Sequence, residues 1–272
     1  MKRLLFLLST VLFTQNLTAQ RGWEIGAWAG VSHYFGDLNT KPDLSHPNFA
    51  GGAMFRFNFN ERLCVKFSAN YGTIGADDKN STNPFELSRN LNFRSNIFDG
   101  AGQFEFNFLP YNYFDRTQHF TPYLFGGLCV YNFNPQGKLN NTWYDLRPLG
   151  TEGQFKGEEY YTTQLGIVYG GGFKIALDEV WSINIELSMR LLANDYLDDV
   201  SKTYPNINDL RKTRGDIALQ LSDPSIPGAD GKKIGTFGRQ RGDSQSNDMY
   251  TFFGVGLLYY FGDLRCPPVN NR

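Results

Sequence analysis

WSINIELSMRLL, residues 181–192, alternates without a break. Trp181, Ile183, Ile185, Leu187, Met189 and Leu191 stand against Ser182, Asn184, Glu186, Ser188 and Arg190. Period-two alternation of this length predicts a β-strand with one apolar and one polar face. A soluble sheet turns the apolar face inward. A transmembrane barrel turns it outward to lipid and lines its interior with the polar face. The fold depends on which way round this strand sits.

The pattern recurs. In GWEIGAWAGVSHYF (22–35), Trp23, Ile25, Ala27, Ala29, Val31 and Phe35 share a face. In FAGGAMFRFNF (49–59), Phe49, Phe55, Phe57 and Phe59 oppose Met54, Arg56 and Asn58. RLCVKFSANYG (62–72) and IFDGAGQFEFNF (97–108) alternate in the same way. FTPYLFGGLCVY (120–131), TTQLGIVYGGGFKIA (162–176) and MYTFFGVGLLYYF (249–261) bring the count to eight. The connections alternate short and long. Asn60-Glu61, a stretch of roughly ten residues and Leu177-Asp178-Glu179-Val180 are short, whereas 36–48, 73–96, 132–161 and 193–248 are long. An even strand number with short turns at one rim and long loops at the other predicts an all-β, eight-stranded antiparallel transmembrane β-barrel of the outer-membrane type. A secreted β-sandwich or lipocalin-like barrel is the competing fold.

Charge decides the orientation. The polar parity carries Glu24, Arg56, Lys66, Asp99, Glu105, Lys174, Glu186 and Arg190, four acids and four bases, and the apolar parity of the central segments carries none. A solvated sheet face needs no such balance. A barrel of about eight strands has room inside only for side chains, and an unpaired buried ion costs several kcal/mol. The set therefore reads as an ion-paired plug in a lumen closed to solutes, with the apolar face on lipid. Tyr34, Phe35, Tyr71, Trp23, Phe59, Trp181, Tyr259, Tyr260 and Phe261 near strand ends are expected to form the aromatic girdles.

The chain opens MKRLLFLLSTVLFTQNLTAQ, with basic Lys2 and Arg3, a short apolar run and Ala19 at a cleavage position. That is the form of a secretory signal peptide, too short to span a membrane. The expected organisation is a signal peptide at 1–19, an outer-membrane barrel at 20–262 and a periplasmic tail at 263–272. A formal charge of −1 disfavours nucleic acid as a partner. Three cysteines make no disulfide framework.

Little looks catalytic. His33 follows Ser32 near the outer end of the first strand, but it lies on the lipid-facing parity without a placed acid. His46 and His119 have no partner at metal-ligand spacing. Nucleophile-elbow, phosphate-loop and zinc-helix motifs are absent, so no catalytic, cofactor or metal residue is expected. Gly170-Gly171-Gly172 sits mid-strand, where curvature or close packing explains it. Loop 193–248 carries Arg214-Gly215-Asp216 and Arg241-Gly242-Asp243, weak as adhesion signals, and is expected to be mobile with short helical pieces such as 206–212.

GVSHYFGDLN (30–39) and YYFGDLRCPP (259–268), with the signal peptide and the eight-strand layout, resemble the PorG-like outer-membrane proteins of the type IX secretion system. Gly36, Asp37 and Leu38 match the family's phrase after the first strand, and Gly262, Asp263, Leu264 and Cys266 its closing phrase. The resemblance implies a non-catalytic barrel in the outer-membrane bilayer that anchors a periplasmic ring of a PorK-like lipoprotein and a PorN-like partner. Loop 193–248 is longer than the family's, so nothing transfers to it. A lipid-acting barrel enzyme or a small-solute porin is the alternative function. Gly262, Asp263, Leu264, Arg265 and Cys266 are the expected docking residues. An odd exported thiol at Cys266 suits an intermolecular disulfide, with an unpaired thiol or a bond to Cys64 left open.

Overall fold

The computed structural model describes residues 22–40 and 43–262. The expected signal peptide at 1–19 and residues 263–272, Cys266 among them, lie outside these. Eight long strands form the barrel: β1 (Gly22–Phe35), β2 (Asn48–Asn58), β3 (Leu63–Asp77), β4 (Asn92–Asn107), β5 (Phe120–Leu139), β7 (Thr163–Ala176), β8 (Trp181–Leu192) and β9 (Met249–Gly262). A short β6 (Thr142–Asp145) extends β5 into a hairpin above the wall. Each long strand pairs antiparallel with its neighbours in sequence, and β1 closes the ring on β9 from Gly22↔Gly262 to Phe35↔Met249. Closure removes the unpaired sheet edges that no hydrocarbon interior tolerates.

The side chains settle which way the strands face. On β8, Trp181, Leu187 and Leu191 are exposed while Ser182, Asn184, Ser188 and Arg190 are buried. Leu124 and Leu128 on β5, Phe104 on β4 and Leu165 on β7 are likewise exposed, the last three at 64–71%. Grease outside and charge inside is the arrangement of a barrel whose solvent is lipid. No described helix is long and apolar enough to cross a membrane. The strands cross instead, and the twelve residues of β8 suit the roughly 9–11 that a tilted strand needs. The lower rim, with the short connections 59–62, 108–119 and 177–180, carries Trp23, Phe59, Trp181, Tyr259 and Phe261 on its outer surface. Tyr34 and Tyr260, expected in the girdles, are each only 2% exposed and point inward. Both share the parity of the lumen residues on their own strands.

Three strands are longer than alternation suggests. β3 runs to Asp77, β4 starts at Asn92 and β5 ends at Leu139. In these extensions the parity is kept but the chemistry reverses. Arg94, Asn96, Asn132 and Asn134 point outward while Phe93, Ile97, Tyr131 and Phe133 are buried inside. A wall with water outside and an apolar core inside has risen above the membrane.

Loop 193–248 is ordered, against the expectation of mobility. It folds over the outer mouth with α2 (Ile207–Arg214) and α3 (Asp216–Ser222) and joins α1 (Pro84–Arg89) of the β3–β4 connection. Leu197, Val200 and Leu221 pack with Leu38, Ile74, Leu91, Phe93 and Phe133 in one core. That buried apolar surface holds the loop, a packing no local pattern announces.

Candidate functional site: a filled lumen beneath an acidic cap

The strand register assembles the lumen cluster. Glu24 lies opposite Arg56 across β1–β2, and Arg56 opposite Lys66 across β2–β3. Glu105, on β4 beside Cys64, reaches into the same layer, as do Lys174 from β7 and Glu186 from β8. Arg56 Nη1 donates to Glu24 Oε2 at 2.6 Å, and its Nε lies 2.8 Å from Glu105 Oε2, close in charge but off the hydrogen-bond axis. Lys174 Nζ donates to Glu105 Oε2 at 2.6 Å, and Lys66 Nζ lies 3.3 Å from Glu105 Oε1 while also pairing with Glu186. Glu105 thus serves three bases and is the hub. Higher up, Arg190 Nε donates to Asp99 Oδ2 at 2.8 Å, and Asp99 also accepts from Asn70 at 2.5 Å and Tyr250 at 3.0 Å. All eight residues face the lumen, and each has an opposite charge beside it. Their side chains are at most 2% exposed except that of Glu186, at 17%.

Uncharged groups fill the remainder. Asn58 donates to Glu24 at 2.6 Å, and Asn184 bridges Arg56 and the Tyr123 hydroxyl. Gly170 and Gly172 make room, since a Cβ there would sit 2.7 Å from Phe125 and 3.0 Å from Tyr123. Cys64 and Cys129 are both buried and free, and Cys64 donates to Asn58 at 2.9 Å. Beneath the cluster the 108–119 connection turns back into the lumen. Tyr111 and Tyr113 close the lower mouth there, with Tyr113 stacked on Tyr260 and donating to Ser182 at 2.7 Å. Sequence reasoning missed this floor because those tyrosines sit in a turn, outside any alternating stretch. An internal cavity of about 20 Å³ beside Trp28, Lys66, Glu186 and Arg190 has room for about one water and for no solute.

The outer mouth is closed by a different chemistry. The Tyr34 hydroxyl lies 2.6 Å from Asp198 and 3.0 Å from Asp248, so one donor serves two carboxylates. Asp37 accepts the backbone N–H of Asp243 at 2.9 Å, and Leu38 enters the cap core. Asp195, 7% exposed, has no hydrogen bond to either carboxyl oxygen, although Ser201 stands near enough to favour its charge. Burial raises the carboxyls of Asp37 and Asp199 to about 6 and that of Asp195 to about 7, and takes Asp198 and Asp248 well above the usual range. Neighbouring acids add to the effect, while Arg89 and Arg241 oppose it at Asp37 and Asp199. Arg241 is locked by Glu152 at 3.1 Å and the Asp199 carbonyl at 2.6 Å, and Arg214 by Glu159 at 2.7 Å. Both arginine-glycine-aspartate triplets are therefore structural joints of the cap.

Ser32 and His33 fall on opposite sides of the wall. Ser32 is buried and donates to the Thr73 carbonyl, while His33 faces outward, 3.2 Å from the Leu44 carbonyl. Among the described residues no group of three or more His, Cys, Asp or Glu side chains is placed to hold a metal.

These features define an eight-stranded outer-membrane β-barrel with a packed interior. The chain belongs to the family described as Domain of unknown function (DUF6089), whose profile matches residues 2–216. No curated protein matches it. Similar solved structures include Neisserial surface protein A, at 10% identity over 88% of this chain and 97% of that one, with a TM-score of 0.43. Ail of Yersinia pestis, crystallised with a heparin analogue, shows 10% identity over 89% and 99% with a TM-score of 0.42. OprG of Pseudomonas aeruginosa shows 11% over 91% and 99%, also at 0.42.

Proposed function

We propose that the chain is a non-catalytic membrane anchor of a protein secretion complex, the role implied by its resemblance to PorG-like barrels of type IX secretion. The observation that carries the reading is the filled lumen. With the ion-paired layer, the tyrosine floor and the cap in series, the interior offers no path for a solute, so the work falls to the surfaces. The separation of Ser32 from His33 removes the one pairing suggestive of lipid chemistry. At the lower rim β9 ends at Gly262 beside Gly22, and the segment Asp263, Leu264, Arg265 and Cys266 that follows in sequence is the docking element for a PorK-like lipoprotein and its PorN-like partner. A disulfide through Cys266 would fix that contact.

The test is affinity purification of the tagged protein from native membranes, resolved on non-reducing gels. Periplasmic ring proteins should co-purify, and a higher-mass species should vanish in Cys266→Ser. Absence of any ring protein, together with normal secretion when the chain is deleted, overturns the reading. Stable conductance steps from purified protein in planar bilayers would instead favour a porin.

A further inference from the structure

The loop after β1, in its described residues 36–40 and 43–47, does more than cover the mouth. Where His33 meets the Leu44 carbonyl, the loop hangs over the outside of the wall, holding Leu44, 60% exposed, beyond the outward face of β1. Behind it the register sets side chains of the outward parity side by side: Phe35 opposite Met249, His33 opposite Thr251, Thr251 opposite Met189, and Phe253 opposite Leu187, with Thr251 itself buried. The space between overhang and wall is a groove of about 820 Å³, within the range of small-molecule sites, roughly 300–1,000 Å³. Its floor is the apolar belt itself, continued upward to the tops of β8, β9 and β1. Its upper rim is polar, formed by Asn39, Thr40, Ser246 and Asn247 with the acids Asp37 and Asp243. His33 is the one described lining residue able to carry positive charge.

We propose that this groove is a binding site for a membrane lipid of the outer leaflet. One acyl chain lies between Leu44 and the Leu187–Phe253 wall, and a head group bearing an ammonium meets the rim. Continuity with the belt argues for lipid over a soluble ligand, since a chain entering from the bilayer leaves one apolar contact for another while the overhang orders it. The acidic rim argues for an aminophospholipid such as phosphatidylethanolamine over a lipid presenting a bare phosphate, because a negative head would face Asp37 and Asp243. The site is independent of any docking at the periplasmic rim.

The experiment uses full-length protein in vesicles of equal phosphatidylethanolamine and phosphatidylglycerol, with a photoactivatable acyl chain on one lipid at a time and adducts mapped by mass spectrometry. The phosphatidylethanolamine probe should label peptides bearing Phe35 and Phe253 about two- to fivefold more than the phosphatidylglycerol probe, the range expected of an exposed charge pair. No such preference should appear on the wall bearing Leu124 and Leu128. Asp243→Asn should bring the groove ratio down to that of the wall. Equal ratios at groove and wall in the wild type overturn the proposal, as does an adduct joining two protein chains at Phe253, which would make a second copy the occupant.

Discussion

Strand β5 keeps one parity from Phe120 to Leu139 and reverses its chemistry once. Below, Leu124, Leu128 and Val130 face outward at 55, 64 and 48% exposure; above, Asn132 and Asn134 take the same face while Tyr131 and Phe133 turn in. β4 reverses between Phe98 and Asn96, the residues paired with Asn132 and Asn134. The backbone fixes which side chains point out, and the medium at each height fixes what they must be. In the lower half the enclosed space holds an ion-paired lumen. In the upper half it holds an apolar core crossed by buried acids. One barrel thus carries both a membrane protein and a small water-soluble domain built on three of its strands.

The largest test of the lower half is Glu105→Leu. It leaves Arg56, Lys66 and Lys174 without their shared partner, and removing one member of a buried pair costs about 3–5 kcal/mol. Glu186→Leu should cost less, because Glu186 is partly exposed and Lys66 keeps Glu105. Urea unfolding in lipid vesicles measures both. A smaller loss at Glu105 than at Glu186 would remove the hub.

Next comes the lipid face. Ile185→Arg places a charge on the outward face of β8 and should cost about 2–4 kcal/mol near the midplane. Glu186→Gln, one residue along and inside, should be milder. Equal folding yields for the two would mean that the inside and outside of the lower barrel had been exchanged.

The lower half was legible because alternation reports parity directly: all eight lumen charges and all eight strands come from it. The upper half was not. Its strands also alternate, but with polar residues on the parity that is apolar below, so a single rule applied along β4 stops at Ile97. The cap depends on contacts such as Arg241 with Glu152, 89 residues apart, which no local window contains. Tyr34 was a misreading of a signal that was present, since it shares the parity of Glu24 and so belongs inside.

The acids of the upper half give it a pH dependence. Asp37, Asp199 and Asp195 hold protons in the folded cap up to about 6, 6 and 7, whereas an unfolded carboxyl releases them near 4. The folded state binds more protons in between, so the cap is most stable below pH 4 and loses stability as pH rises to about 7. At about 1.4 kcal/mol per unit, each of the three carboxyls accounts for a loss on the order of a few kcal/mol before screening. Hydrogen exchange at Leu197, Val200 and Asp243, corrected for intrinsic rates, should show more protection at pH 5 than at pH 8. Protection that is flat, or that rises with pH, would show that these carboxyls titrate as exposed ones.

The smallest effect locates the boundary between the halves. Asn134 shares strand and face with Leu124 but stands above the reversal, where its side chain donates to Asp145 Oδ1 at 3.0 Å. Asn134→Arg therefore puts a guanidinium in water beside an acid. An exposed pair contributes about 0.2–1 kcal/mol, and a surface substitution of this kind shifts stability by about 0.5 kcal/mol or less. The same residue at Ile185 meets hydrocarbon and no partner. Comparing Asn134→Arg with Ile185→Arg in one vesicle assay holds the introduced side chain constant and varies only the medium. If Asn134→Arg costs as much as Ile185→Arg, lipid reaches the upper wall, and the change from Val130 to Asn132 marks no interface. If it is neutral, β5 has left the membrane by Asn134.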